Sequence, residues 1–187
     1  MLLRPFGQLL AFACVTWACA QEAALRAMGF ALALALLDAD RTLTPGARQW
    51  LGLHARRIRA TRAYGKAQDN NHAISEAAGL FICGLVLGER RDQAAGARAL
   101  TRSIARLVSP CGAFAQASPA YHRLMLDVLA MAEWFRRRHG APAFAEPFAA
   151  RAAAATHWLE RVMAPGGALP RIGPCDDSAF ADLSGLG

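Results

Sequence analysis

Breaks rich in glycine and proline divide this sequence into six apolar segments, each long enough for a helix of about five turns. Alanine and leucine, which favour helices, dominate these segments, whereas residues typical of strands are sparse. Thr44 is the expected cap of the second helix, with Pro45 in its first turn. The sequence therefore predicts an all-α fold, with helices at Gln21–Leu37, Ala47–Tyr64, Asn71–Leu87, Asp92–Val108, Ala120–His139 and Phe144–Met163.

Short loops join these segments, so consecutive helices are expected to run antiparallel as a stack of helical hairpins. The third helix is apolar around most of its circumference, which indicates burial on several sides. A bundle, a solenoid and an arc of an (α/α) barrel all satisfy this pattern, and no repeat is clear enough to choose a solenoid. We expect a single helical domain over residues 1–187, because 187 residues can bury a core of their own.

The N-terminal sequence MLLRPFGQLLAFACVTWACAQEA allows two interpretations. An arginine, an apolar run and the triplet ACA are typical of a cleavable signal peptide, which would direct the protein to the periplasm or outside the cell. The helix-like run that follows without a break favours a buried helix, which leaves the cytoplasm open as a location. The apolar run is too short and too interrupted to span a membrane, so we expect no transmembrane segment.

The net charge and the cysteine content limit which classes of partner and cofactor are expected. The net charge of +7 favours a polyanionic partner, either nucleic acid, an acidic membrane surface or an acidic polysaccharide, although a solvated basic surface explains it equally well. Few aromatic residues lie among the basic ones, and no nucleic-acid-binding motif is recognised, which argues against nucleic acid. The five cysteines form no CxxC pair and no cluster with histidine at zinc spacing, so we expect no metal and no other cofactor.

Alternating helix directions gather particular segments at one end of the stack, which we call the rim. The rim holds the starts of the first, third and fifth helices and the loops after the second, fourth and sixth. Polar and unusual residues concentrate in these segments: Trp17, Gln21, Glu22, Asn70, Asn71, His72, Gln116, Tyr121, His122, Arg123, Arg171, Asp176 and Asp177. The loops at the opposite end, such as DADRTLTPG, have ordinary turn chemistry.

The rim residues suit an acidic ligand. Free N–H groups and the positive dipole at helix starts attract carboxylates and other anions. Asn71 could hydrogen-bond a carboxyl group, His72 is a candidate base or neutralising donor, and Tyr121 could transfer a proton. Together these residue types suit proton abstraction next to a carboxylate. Further candidate substrate-binding residues are Asn70, Gln116, His122, Arg123 and Glu76.

Each of these residues also has a structural interpretation. Asparagine before a helix is more often a cap, and a lone histidine or tyrosine is more often simply packed. Glu76 could orient a site residue or be a charge satisfied by a nearby arginine. For Arg123, a role in holding a loop in place is favoured over contact with a ligand. Spacing alone therefore predicts a helical domain with a candidate site for an acidic ligand.

Three stretches together resemble the heparinase II/III-type polysaccharide lyases, a family that includes oligoalginate lyases: NNHAISEAAGLFICGLVLG, GAFAQASPAYHRLMLDVLAMAEWF and LPRIGPCDD. The resemblance extends roughly from Trp17 to Asp177, and the motifs NNH and SPAYHR are more specific as a pair than singly. It implies an incomplete (α/α) toroid, which precedes a β-sandwich domain in that family. It also favours a toroid helix over a signal peptide at WACAQEAALR.

The resemblance implies β-elimination on a uronic-acid-containing glycan. By resemblance, Asn71 would neutralise the uronate carboxylate, His72 would act as a base or second neutralising group, and Tyr121 would be the general acid and, in some members, also the base. Neutralising the carboxylate stabilises the enolate-like intermediate that forms when the C5 proton leaves. An acidic polysaccharide or oligosaccharide is therefore the expected partner.

Two features depart from the family pattern. The sequence PCDD, with Cys175 and Asp176, stands where an asparagine–aspartate pair is expected. The catalytic histidine that the family usually supplies from beyond the toroid has no counterpart here. We therefore expect part of a lyase toroid that carries only some of the active site and is inactive alone. The alternative is a non-catalytic helical domain that binds acidic glycans or serves as a scaffold.

Overall fold

The computed structural model describes residues 19–175, and this part of the chain contains six α-helices and no β-strand. The predicted all-α fold is thus confirmed. Within the same residues, no helix is both long enough and apolar enough to cross a membrane. The helices are α1 (Ala20–Leu36), α2 (Pro45–Ala67), α3 (Asn71–Leu87), α4 (Arg90–Leu107), α5 (Pro119–Arg138) and α6 (Phe148–Val162).

Helix α3 lies at the centre of the packing. It contacts α1, α2, α4 and α5, and nearly all of its residues are buried, as its apolar circumference predicted. The hairpin of α3 and α4 is joined further to the hairpin of α5 and α6, because α6 contacts both α4 and α5. One contiguous hydrophobic cluster draws on all six helices. The start of α3 is consequently held in place from several sides.

Glycines let the neighbouring helices approach α3 closely. A Cβ on Gly96 of α4 would lie 2.4 Å from the backbone nitrogen of Phe81. On the α3 side, a Cβ on Gly84 would lie 2.2 Å from the backbone nitrogen of Gln93. These distances are well below van der Waals contact, so the absence of a side chain at these positions sets the α3–α4 spacing.

Local signals explain several helix boundaries. Thr44 accepts a hydrogen bond from the N–H of Ala47 at 3.2 Å, and Pro45 occupies the first turn of α2, as predicted. Helix α3 ends at Leu87, and the next residue, Gly88, has a φ of +74°, in the left-handed region that favours glycine at a helix end. Five of the six helices begin within two residues of their predicted starts.

The predicted start of the sixth helix at Phe144 is wrong, because α6 begins only at Phe148. Pro147 disfavours helical geometry at the residue before it, so the helix cannot readily extend backwards through this point. Phe144 instead packs from a segment without regular secondary structure, with its ring centroid 4.9 Å from that of Phe81 and 4.3 Å from that of Phe148. This segment covers one side of α3.

A charged junction lies at the end opposite the rim. Arg138 of α5 donates to Asp40 at 2.7 Å, to Asp38 at 2.9 Å and to the carbonyl oxygen of Ala35 at 3.0 Å. Asp40 is buried, and its hydrogen bond with Arg138 holds its pKa below the usual value. The loop that was expected to have ordinary turn chemistry therefore joins the end of α1 to the end of α5.

Candidate functional site

Asn70 caps α3. Its Oδ1 accepts a hydrogen bond from the N–H of His72 at 3.0 Å, and its Nδ2 donates to Oε1 of Gln68 at 3.2 Å. The preceding Asp69 has a φ of +49° and forms an ion pair with Arg106 near the end of α4. The capping interpretation of Asn70 is confirmed. Because both ends of its amide are engaged, a contact from Asn70 to substrate would have to displace one of these bonds.

Asn71, the first residue of α3, is buried and holds a donor without a partner. Its backbone N–H donates to Oε1 of Gln116 at 3.2 Å, which joins the start of α3 to the loop before α5. Its side-chain Nδ2 has no hydrogen-bond partner within residues 19–175, although the residue is only 2% exposed. An unsatisfied buried amide costs about 1–3 kcal/mol. A ligand oxygen that reached Nδ2 would recover this cost.

His72 points towards the start of α1. Its Nδ1 lies 3.9 Å from Sγ of Cys19, the residue immediately before α1. Burial lowers the pKa of His72 below the usual histidine value, and the negative charge of Glu22 opposes this only in part. The lowered pKa favours the neutral imidazole, the form that can accept a proton.

Tyr121 lies in the first turn of α5, where Ser118 is the cap. The N–H of Tyr121 donates to Oγ of Ser118 at 3.3 Å, and this Oγ donates to the carbonyl oxygen of Pro174 at 2.6 Å. The segment after α6 therefore crosses the start of α5. Gly173 makes this crossing close, since a Cβ there would lie 2.1 Å from the carbonyl oxygen of Ala117. Tyr121 itself is half-buried and packs against the core.

His122 lies inside the protein. It is 1% exposed, and its Nε2 donates to the carbonyl oxygen of Ala155 at 2.9 Å. Its ring stacks on that of Trp158 at 4.8 Å, and burial lowers its pKa. Both contacts lead to α6. The structure thus places this predicted substrate-binding residue at the junction of α5 and α6 and not at the surface.

Glu76 and Arg123 lie apart from each other. Glu76 is buried on α3 and lines a groove between α2 and α4, together with Arg59. Arg123 is half-buried on α5, where its charge acts on Asp127 one turn later. Burial nevertheless raises the pKa of Asp127 overall. Among the predicted site residues, hydrogen bonds therefore join Asn70 directly with His72, and Asn71 directly with Gln116.

The rim prediction is confirmed where contacts test it. The hydrogen bonds and ion pairs above join the starts of α1, α3 and α5 with the loops after α2, α4 and α6.

Neither a protein-family model, nor a curated protein, nor a solved structure matches this chain. Trp17, Asp176 and Asp177, which were also expected at the rim, lie outside the described residues. Within residues 19–175, no group of three or more His, Cys, Asp or Glu residues could hold a metal ion.

Two rim residues were missed from the sequence. Ser118 directly precedes the proline that begins α5, which is a readable cap signal. Cys19 is different, because its contact with His72 spans 53 residues and depends on how α1 packs against α3. No local sequence pattern predicts such a contact.

Proposed function

We propose that the rim binds an acidic glycan through the start of α3, in a partial (α/α) toroid of a polysaccharide lyase. The observation that carries this proposal is the unpartnered Nδ2 donor of Asn71. It lies at a helix start, where the positive end of the dipole favours a carboxylate. The resemblance of the NNH and SPAYHR motifs to heparinase II/III-type lyases supports a uronate as the ligand.

The proposed reaction is β-elimination next to the uronate carboxylate. Asn71 would hydrogen-bond this carboxylate and stabilise the charge that develops when C5 loses its proton. Neutral His72 would accept the C5 proton, a double bond would form between C4 and C5, and the C4–oxygen bond would break. Tyr121 would donate a proton to the leaving oxygen. The product would be an unsaturated uronate, and the balance requires no oxidant and no metal.

Binding without cleavage is a second candidate function, and one observation favours it. Asn71 is joined to Gln116 on the α5 side, whereas His72 faces Cys19 of the α1 side. Two groups that act on one sugar must converge on it. A non-catalytic glycan-binding domain needs Asn71 and the helix end but not this convergence.

The test compares binding and turnover on the same 187-residue protein. Oligouronates from alginate, polygalacturonate and heparan sulfate are titrated by calorimetry, and the unsaturated product is followed by its ultraviolet absorbance. We expect Asn71→Asp to weaken binding at least about tenfold, because the new carboxylate repels the ligand and an unpaired charge is costly. Tyr121→Phe should retain binding and lose turnover.

The outcomes separate the two functions. Product formation that Tyr121→Phe abolishes supports the lyase. Binding that Asn71→Asp weakens, without product from the wild-type protein, supports the glycan-binding alternative and refutes catalysis by this chain. If no acidic glycan binds, or if Asn71→Asp binds as tightly as the wild type, both proposals are wrong. Circular dichroism of each variant shows whether the helices remain folded.

A further inference from the structure

The basic residues of the chain are concentrated on two neighbouring helices. Helices α2 and α4 hold 11 of the 21 lysines and arginines but only one of the 14 acidic residues. Both helices pack on α3, and the ion pair between Arg59 and Asp92 joins them. The net positive charge of the protein is therefore concentrated on the side that these helices form, and such a surface attracts polyanions.

Three exposed arginines form a line along the outward side of α4. Arg91, Arg98 and Arg102 are spaced seven and four residues apart, and residues at these spacings lie on the same side of a helix. With a rise of about 1.5 Å per residue, the line is about 16 Å long. Ala94 and Ala105, also exposed on this side, are small enough to leave the arginines accessible. We call these three arginines the α4 ladder.

The positive charge of the α4 ladder is not neutralised by the nearest carboxylates. Asp92 forms its ion pair with Arg59, and Asp69 forms one with Arg106. Among residues 19–175, no carboxylate lies within ion-pair distance of a ladder arginine. An anionic chain that reaches α4 therefore meets three guanidinium groups without a competing acidic group, and arginine binds carboxylates in a bidentate geometry.

A groove of about 420 Å³ lies beside the α4 ladder, between α4 and residues 143–145. Arg98 and Arg102 line it, together with Thr101 and the half-buried ring of Phe144. A sugar acid matches each of these groups. Its carboxylate pairs with an arginine, its hydroxyl groups exchange hydrogen bonds with Thr101, and the apolar side of its ring packs on Phe144. This mixture favours a glycan over a polyanion that offers charge alone.

The α4 ladder leads to the rim. Arg106, one turn beyond Arg102, forms an ion pair with Asp69, which lies two residues before Asn71. Arg102 is about 6 Å from Arg106 along the helix axis, so it is the ladder residue nearest the rim. Because Asp69 already engages Arg106, this arginine connects the two surfaces, and the ladder supplies the contacts to a ligand. A chain that begins at Asn71 can thus continue over the end of α4.

We propose that the rim and the α4 ladder form one track for a long acidic glycan, with one end at Asn71 and the following sugars along α4. This inference rests on the proposed function and narrows its substrate class from acidic glycans in general to polymeric ones. A disaccharide fills only the rim. Each further uronate that reaches Arg102, Arg98 or Arg91 adds a charge-assisted contact, so affinity rises with chain length.

The experiment compares disaccharides with decasaccharides from alginate, polygalacturonate and heparan sulfate, titrated into the 187-residue protein by calorimetry. We expect at least one decasaccharide to bind about tenfold more tightly than the matching disaccharide, because several exposed ion pairs of modest strength add together. Arg98→Gln combined with Arg102→Gln should remove most of this gain and leave the disaccharide affinity unchanged. Asn71→Asp should weaken the binding of both lengths.

Two sets of control variants separate the α4 ladder from net charge. Arg137→Gln combined with Arg161→Gln removes the same two charges from exposed positions on α5 and α6, and it should leave the gain with length unchanged. Ala94→Glu introduces an acidic group within the ladder, four residues before Arg98, and should reduce the gain, whereas Ala94→Gln should not. All of these positions are exposed, and urea midpoints confirm that the variants are folded.

The outcomes distinguish failure of the track from failure of the proposed function. Equal affinities for the two lengths, both weakened by Asn71→Asp, would refute the track and leave the proposed function standing. If no glycan binds, both are wrong. A gain that survives loss of the two ladder arginines would place the chain elsewhere, and a gain that the Arg137 and Arg161 control loses equally would reduce the effect to overall charge. A short DNA duplex is the last probe. If it binds more tightly than every decasaccharide, and through the same two arginines, the ladder is a nucleic-acid surface and the track is refuted.

Discussion

Replacing Gly96 by alanine tests the close packing of α4 on α3. The new Cβ would lie 2.4 Å from the nitrogen, 2.6 Å from the Cα and 2.8 Å from the Cβ of Phe81. Carbon contacts are favourable at about 3.5–4.0 Å, so the two helices would have to separate by about 1 Å. Overpacking costs about 1–3 kcal/mol, and a contact with rigid backbone belongs at the upper end.

Alanine also favours a helix over glycine by about 1 kcal/mol, which offsets part of this cost. We therefore expect Gly96→Ala to lower the free energy of unfolding by about 2 kcal/mol, which is about 4–8 °C in melting temperature for a protein of this size. The assay is urea denaturation followed by circular dichroism, with a thermal melt as the second measurement.

Gly29 supplies the matched control. It lies in the interior of α1, it is exposed, and no atom lies within 4 Å of the position that a Cβ would take. Gly29→Ala should therefore raise stability by about 0.5–1 kcal/mol through helix propensity alone. The two identical substitutions should shift stability in opposite directions. If Gly96→Ala is as stable as Gly29→Ala, the close approach does not constrain the fold and the reasoning is wrong.

Three further predictions concern the cap of α3, the buried His122 and the thiols. Asn70→Ala should lower stability by about 1 kcal/mol in urea denaturation, because α3 loses its cap; an unchanged midpoint would contradict the capping role. Burial keeps the folded-state pKa of His122 below its unfolded value, so the stability that neutral His122 contributes is present above about pH 6.5 and is lost as pH falls through the folded pKa. Urea midpoints should fall below this pH less steeply in His122→Gln than in the wild type. Iodoacetamide should modify the exposed Cys111 first, because its hydrogen bond with Ser109 lowers its pKa. It should modify Cys83 only on unfolding, because burial raises the pKa of Cys83 to about 12. Mass spectrometry gives the order of modification, and early labelling of Cys83 would contradict the prediction.

The helices and their caps could be predicted because their determinants are local. Breaks, helix propensity and cap residues act within a few positions of the chain, so the sequence alone indicates that Thr44 and Asn70 are caps, as the structure shows. The central position of α3 also followed from its own pattern of apolar residues. The apolar run around Phe144 predicts a start of the sixth helix that is four residues too early, because Pro147 disfavours helical geometry at the residue before it.

The site was less predictable because its contacts depend on how helices pack. Sequence placed His122 beside Tyr121 at the rim, but its direction on α5 turns it inwards to Ala155 and Trp158. Glu76 likewise lines a groove between α2 and α4, which exists only where both helices are packed on α3.

The junction between Arg138 and Asp40 has a consequence for the rates of folding and unfolding. The two residues are 98 positions apart, so their contact closes a long loop, and we expect it to form only after the intervening hairpins. Contacts that form after the transition state slow unfolding without accelerating folding. We therefore expect this junction to extend the lifetime of the folded protein while leaving the speed of its formation unchanged.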